Sequence, residues 1–449
     1  MAALNASLLA WPASAGVPCG MEQGSFRGWN AFSLTNGIVS IQVAPDIGGR
    51  VIQFQLAGHP YFFVNADLAG KVFPPEENGG RNGGWKNYGG SKLWPAPQGW
   101  ETDQQWPGPP DPVLDGGRYR ATMTTSRPDE VAVTVTSPED ERTGIQFSRT
   151  VRLFAGSSRV RHDCAMKNAS HRPVRWAIWE VTQHDTSDPV APANFNNDFW
   201  AYTPLNRSSA HPKGFSPLFG QATHASWLPN YARGLFAVKY DYRVGKVGLD
   251  SPDGWLAVAN GKSDHCFVAR FAYFPEASYP DGSTVEFWLN GAGEFILNGS
   301  ALTNAADPKE TPYFMESEIL APLVTLQPGE DYHFQIDWFA TRCPRPIVEV
   351  TSAGAVHAPL TVRRNSEWLR VEGTFGVFFR GHAELIAKDN LGNPVAQENL
   401  GRVDPNEVFR VNKAIRAAPS AYRVSLRIVD EDGRDRGTLG HAFVSERIE

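Results

Sequence analysis

The feature that most limits what this chain can fold into is the two-residue rhythm of its apolar positions. Val131, Val133 and Val135 alternate with Ala132, Thr134 and Thr136, and Val151 and Leu153 flank Arg152. Successive side chains of an extended strand point to opposite faces, so this rhythm describes strands with one buried face. Turn-forming clusters recur between such runs: Ser137-Pro138-Glu139-Asp140, Pro280-Asp281-Gly282-Ser283 and Gln327-Pro328-Gly329-Glu330. Their spacing suits antiparallel strands, and no long stretch carries the 3.6-residue period of an amphipathic helix. An all-β fold is expected.

A chain of 449 residues exceeds the size at which one hydrophobic core stops growing, which predicts two domains. The boundary is placed at Cys343-Pro344-Arg345-Pro346, because thirteen of the fourteen tryptophans lie at or before Trp338 and only Trp368 follows. Residues 20–342 are expected to form the larger domain and 346–449 a small, Ig-like β-sandwich. In the latter, Ala383–Lys388 runs into Asp389-Asn390-Leu391-Gly392, and Tyr422–Ile428 into Asp430-Glu431-Asp432-Gly433. Both read as hairpins.

Charge narrows the partners. Forty-two basic residues against 48 acidic ones leave −6, with no basic run for a phosphate backbone to follow, so nucleic acid is excluded as a partner. Apolar stretches are too short to span a bilayer, which excludes an integral membrane protein. Cys19, Cys164, Cys266 and Cys343 show no metal-ligand or framework spacing, so no metal site is expected. Leu8–Trp11 ahead of Ala13-Ser14-Ala15 fits a small-x-small cleavage rule but lacks a basic lead-in and a full apolar region. A signal remnant, with a periplasmic or secreted location, and an irregular N-terminus both stay open, and oligomeric state has no cue in the sequence.

Between Lys71 and Gly117 alternation lapses, and Trp85, Trp94, Trp100 and Trp106 stand among Gly, Pro, Asn and Gln. A loop of this length inside a compact domain is functional or disordered, and tryptophans argue against disorder. Sugars present C–H faces to indoles and hydroxyls to amides and ammonium groups, so Asn87, Tyr88, Lys92, Trp94, Gln98 and Trp100 are candidate sugar contacts. Packing of the loop over the sandwich is the competing explanation. In the run Arg175–His184, Trp176, Ile178, Glu180, Thr182 and His184 share one face and Arg175, Trp179 and Gln183 the other. Charged groups in a β-run need a cleft or partners. Glu316 and Glu318 share a face in otherwise apolar surroundings, where paired carboxylates raise each other's pKa and suit general-base work.

Several stretches carry a family likeness. Asn36–Ile41, Pro45-Asp46-Ile47-Gly48-Gly49-Arg50 and Val51-Ile52 resemble the opening of galactose mutarotase-like proteins, the aldose 1-epimerase superfamily. Glu316, Pro322, Leu326-Gln327-Pro328-Gly329-Glu330 and Phe334–Trp338 resemble its closing order, and Asn168 to Pro173 its approach to the strand bearing the catalytic histidine. The likeness covers roughly residues 25–342. It implies a β-supersandwich of large antiparallel sheets with an open sugar cleft, a Glu base and a His acid acting on the sugar, and no cofactor.

By position, Glu316 resembles the base and Asp264, in Ser263-Asp264-His265-Cys266-Phe267, the sugar-binding Asp. Where the family carries its histidine this chain has Trp179, whose indole cannot donate a proton as imidazolium does. The expectation is therefore a carbohydrate-active protein using acid/base chemistry with Glu316 as base. Glu180 and His184 are the candidate partners, and Arg50 and Trp179 are further candidate contacts. A glycoside hydrolase using Glu180 with Glu316, a polysaccharide lyase using His184, Tyr88 and Arg50, and a non-catalytic carbohydrate-binding protein are the alternatives.

Overall fold

Strands form where the alternation is strict. Ile145–Phe154 alternates buried and half-buried residues without a break, and Glu130–Thr136 buries Val131, Val133 and Val135. The computed structural model describes residues 17–79, 84–232, 234–297 and 300–445. The Leu8–Ala15 stretch lies outside them. Helix among these residues is confined to three 3-10 turns of three residues each.

Two large antiparallel sheets dominate. One has twelve strands, whose central order is Arg50–Leu56, Ser91–Ala96, Val174–Asp185, Phe314–Leu320, Val285–Leu289 and Gly245–Leu249. The other has ten, with Asp331–Arg342 between His265–Phe271 and Val160–Asn168 at its middle. One apolar cluster fills the space between them, with Phe54, Phe62, Phe267 and Trp338 in mutual aromatic contact. This is the all-β supersandwich of large antiparallel sheets that the sequence leads one to expect.

From Glu349 onward the chain makes two four-stranded sheets. The expected hairpins are present: Gly381–Lys388 turns into Pro394–Val403, and Arg423–Asp430 into Asp435–Phe443. These strands bury the outer face of the ten-stranded sheet. Trp200, Tyr202, Trp255, Val268 and Phe339 join Phe375, Phe378, Leu385 and Leu426 in a second cluster, and Phe339 stacks on Phe378 at 4.1 Å.

The loop expected over Lys71–Gly117 contains a strand, Ser91–Ala96, placed centrally in the twelve-stranded sheet. All six of its residues are buried. A strand covered on both faces has no polar side to alternate with, which is why its pattern is silent.

Candidate functional site

Register places the chemistry. Gln183 pairs with Glu316, Val181 with Glu318 and Lys92, and Trp179 with Trp94. Glu286 lies opposite Glu318, and Trp288 lies opposite both Glu316 and Lys246. Directly paired residues share a face, so Lys92, Trp94, Trp179, Gln183, Lys246, Glu286, Glu316 and Glu318 all project from the outer face of the twelve-stranded sheet.

There they form compensated clusters. Lys92 Nζ lies 3.0 Å from Glu316 Oε1, and Gln183 Nε2 donates to the same oxygen at 2.8 Å. Burial lowers the Lys92 pKa, and the Glu316 charge opposes that shift. Lys246 Nζ reaches Glu286 Oε2 at 2.7 Å and Glu318 Oε2 at 3.0 Å, while Trp179 Nε1 donates to Glu318 Oε2 at 2.8 Å. Each ammonium also sits 4.6 Å from an indole centroid, Lys92 over Trp94 and Lys246 over Trp179. At the other flank Arg50 pairs with Asp115, which accepts from both Trp94 and Trp85.

The expected long loop folds down over this face. Trp106 is buried and tilts against Trp94 at 5.1 Å, whereas Trp100 remains 41% exposed. Trp100, Trp179, Gln98 and Phe219 wall an open cavity of about 170 Å³. Lys246, Glu286 and Asp281 supply its charges.

Glu318 is the most perturbed carboxyl here. Burial, reinforced by Glu286 and Glu316 and opposed by Lys246, pushes its pKa up to about 8. The folded protein therefore holds a proton that an unfolded glutamate, near 4.5, releases, and stability falls as pH rises from about 4.5 to about 8. Glu318→Gln should flatten that decline, so that the variant's melting temperature changes less than the wild type's across the window. An unchanged slope in a scan of melting temperature against pH would show that the proton resides elsewhere.

Several expected residues lie away from this cluster. Glu180 and His184 project from the opposite face into the space between the sheets, which removes them as partners for Glu316. Glu180 accepts from Ser91 Oγ at 2.5 Å and from Thr182, with Arg149 at 3.8 Å; burial raises its pKa. His184 Nε2 meets Ser317 Oγ at 2.8 Å beside Phe62 and Phe267, and burial pulls its pKa down to about 3. Both are core groups.

Tyr88 is buried edge-on against Trp29, and the Asn87 side chain accepts from Gly89 N within its own turn. Arg50 is buried and committed to Asp115 and the Gly89 carbonyl. Asp264 occupies a left-handed turn, φ 55°, leading into His265–Phe271 on the ten-stranded sheet, so it does not join Glu316. Lys92 and Trp94 are on the site's face but buried, and of the loop residues Gln98 and Trp100 reach the cavity.

Lys246, Glu286 and Asp115 escaped sequence reasoning. Their one signal is a lone charge between apolar neighbours, as in Val285-Glu286-Phe287. The four cysteines are unpaired, and no described helix is long and apolar enough to cross a membrane.

With this geometry in hand, the class is an all-β supersandwich protein with a polar outer face. A family described as a domain of unknown function, DUF4380, matches residues 30–194, and no curated protein matches the chain. Among solved structures it is similar to a TPR-domain containing protein from Parabacteroides distasonis, at 13% identity and TM-score 0.47, covering 72% of this chain. It spans about half, 49%, of that protein. It is also similar to a galactose mutarotase-like protein from Clostridium acetobutylicum, at 10% identity and TM-score 0.44, covering 72% of this chain and 99% of that one. A galactose mutarotase-like protein from Lactobacillus casei gives 11% identity and TM-score 0.42, with coverages of 69% and 99%.

Proposed function

We propose that the protein takes a sugar or the end of an oligosaccharide on the outer face of the twelve-stranded sheet and acts on it by proton transfer, with Glu316 as base. The supporting observation is the cavity, where the indoles of Trp100 and Trp179 meet the amide of Gln98 and the charged groups Lys246 and Glu286. Flat apolar faces beside polar groups match a sugar's C–H faces and hydroxyls. At about 170 Å³ the cavity suits one ring rather than an extended chain.

With His184 turned into the core, Glu318 is the proton donor in this reading. It lies two residues from Glu316 on the same face and keeps its proton up to about pH 8. Such chemistry needs an acid and a base on either side of one reacting atom, and this pair stands directly behind the cavity wall, next to its lining residues Lys246, Glu286 and Trp179. Glu316→Gln preserves shape while removing the proton acceptor, so sugar affinity should survive and turnover fall by ~10²–10⁴-fold.

A non-catalytic binding role is the second reading. It is favoured by Glu316 Oε1 being occupied already by both Lys92 and Gln183. A glycan array followed by Trp100→Ala separates the outcomes. Ligands should be found and their affinity should drop by ~10-fold in the variant, as for a lost aromatic platform. An array without ligands would count against both readings, and ligands that are bound but never turned over would favour the second.

A further inference from the structure

The charges around the cavity do not balance. Glu286 and Asp281 line it, Glu318 stands behind them, and among the described lining residues Lys246 is the single cation. The neighbouring ions offer no relief, because Lys92 is paired with Glu316 and Arg50 with Asp115. Lys246 is itself committed, its Nζ lying between Glu286 Oε2 and Glu318 Oε2.

Two carboxylate oxygens are left over. Oε1 of Glu286 and Oε1 of Glu318 are buried without a hydrogen-bond partner, and both residues are 1% exposed. A buried carboxylate oxygen without a donor is costly, and a donor supplied by a ligand relieves that cost. We propose that this cavity selects sugars bearing an ammonium group, whose N–H donors reach the unpartnered Glu286 oxygen while the ring lies against Trp100 or Trp179.

The selection rests on the sugar reading above and names its substrate class. A uronate is disfavoured, since its carboxylate would meet Glu286 and Asp281 with no free cation to receive it. A proton now stands where the missing cation would be: Glu318 keeps it to about pH 8 and shares it with Glu286, whose pKa burial also raises. Lys246, Asp281, Glu316 and the Trp179 indole are the other charged or donor groups facing the pair. A bound ammonium stabilises the ionised pair, so binding at neutral pH expels a proton to solvent.

The test is calorimetric titration of the full chain with D-glucosamine, D-glucose, D-glucuronate and cyclohexylammonium, in two buffers that differ in heat of ionisation. Glucosamine should bind at least ~10-fold more tightly than glucose, with glucuronate weakest and close to one proton released per glucosamine bound at about pH 6, where the amine is fully protonated before it binds and Glu318 still holds its proton. Glu286→Gln should abolish the preference, leaving glucosamine with no advantage over glucose, and Asp281→Asn, at the exposed rim, should reduce it. Glucuronate binding as tightly as glucosamine, or glucosamine indistinguishable from glucose, overturns the proposal. Cyclohexylammonium binding that depends on Glu286, with no sugar bound, would uphold the charge selection and sink the sugar reading. Failure of all four probes would sink both.

Discussion

Replacing Lys246 with Met is expected to cost about 3–5 kcal/mol of folding free energy near pH 8, because Glu286 and Glu318 lose their cation and must either stay charged in the interior or hold protons that the unfolded chain has released at that pH. The loss should shrink near pH 5. Burial raises the pKa of both carboxyls, and the ammonium is what opposes the rise. Without it they hold protons to higher pH and are neutral in mild acid, when little uncompensated charge remains. Lys246 is itself raised: burial lowers its pKa, but the two carboxylates outweigh that, so its own contribution persists through this window. Urea unfolding of the variant at the two pH values measures the difference. A loss below about 1 kcal/mol at both would mean that proton sharing alone neutralises the pair.

The second large effect concerns the C-terminal sheets. A fragment ending at residue 345 should fail to remain a soluble monomer. It exposes Trp200, Tyr202, Trp255, Val268 and Phe339, which the full chain buries against Phe375, Phe378 and Leu426. Each such side chain contributes roughly 1.5–3 kcal/mol on burial, and a contiguous apolar patch of that size drives association. Size-exclusion chromatography with an apolar dye reports it. A monomeric fragment that melts like the full chain would show that residues 20–342 stand alone.

How far the sequence could be read depended on whether a strand keeps a solvated side. Ile145–Phe154 does, and its alternation carried the fold class. Ser91–Ala96 does not, so the middle of the site's sheet looked like loop. In Val174–Asp185 the two faces were separable by parity, with Glu180 and His184 on one and Trp179 and Gln183 on the other. Which of them looks outward is decided by where the ten-stranded sheet lies. That is information from strands such as Asp331–Arg342, far along the chain. Contacts such as Lys92 with Glu316, 224 residues apart, leave no local trace at all. Glu316, Lys92 and Gln183 each stand out in the sequence, but their meeting at one carboxylate oxygen does not.

The interlocked charges on the outer face also set how this surface can change over evolutionary time. Lys92 answers Glu316, Arg50 answers Asp115, and one ammonium at position 246 answers two carboxyls. Losing either member of the first two pairs, or Lys246 itself, leaves an uncompensated buried ion, a larger penalty than the marginal stability of most proteins tolerates without compensation. Variation here should therefore proceed by joint replacements, with positions 92 and 316, or 246 and 286, switching together to apolar or reversed pairs. Relatives that have abandoned this charge arrangement would then betray it by the simultaneous loss of both partners, while those that retain one would retain the other.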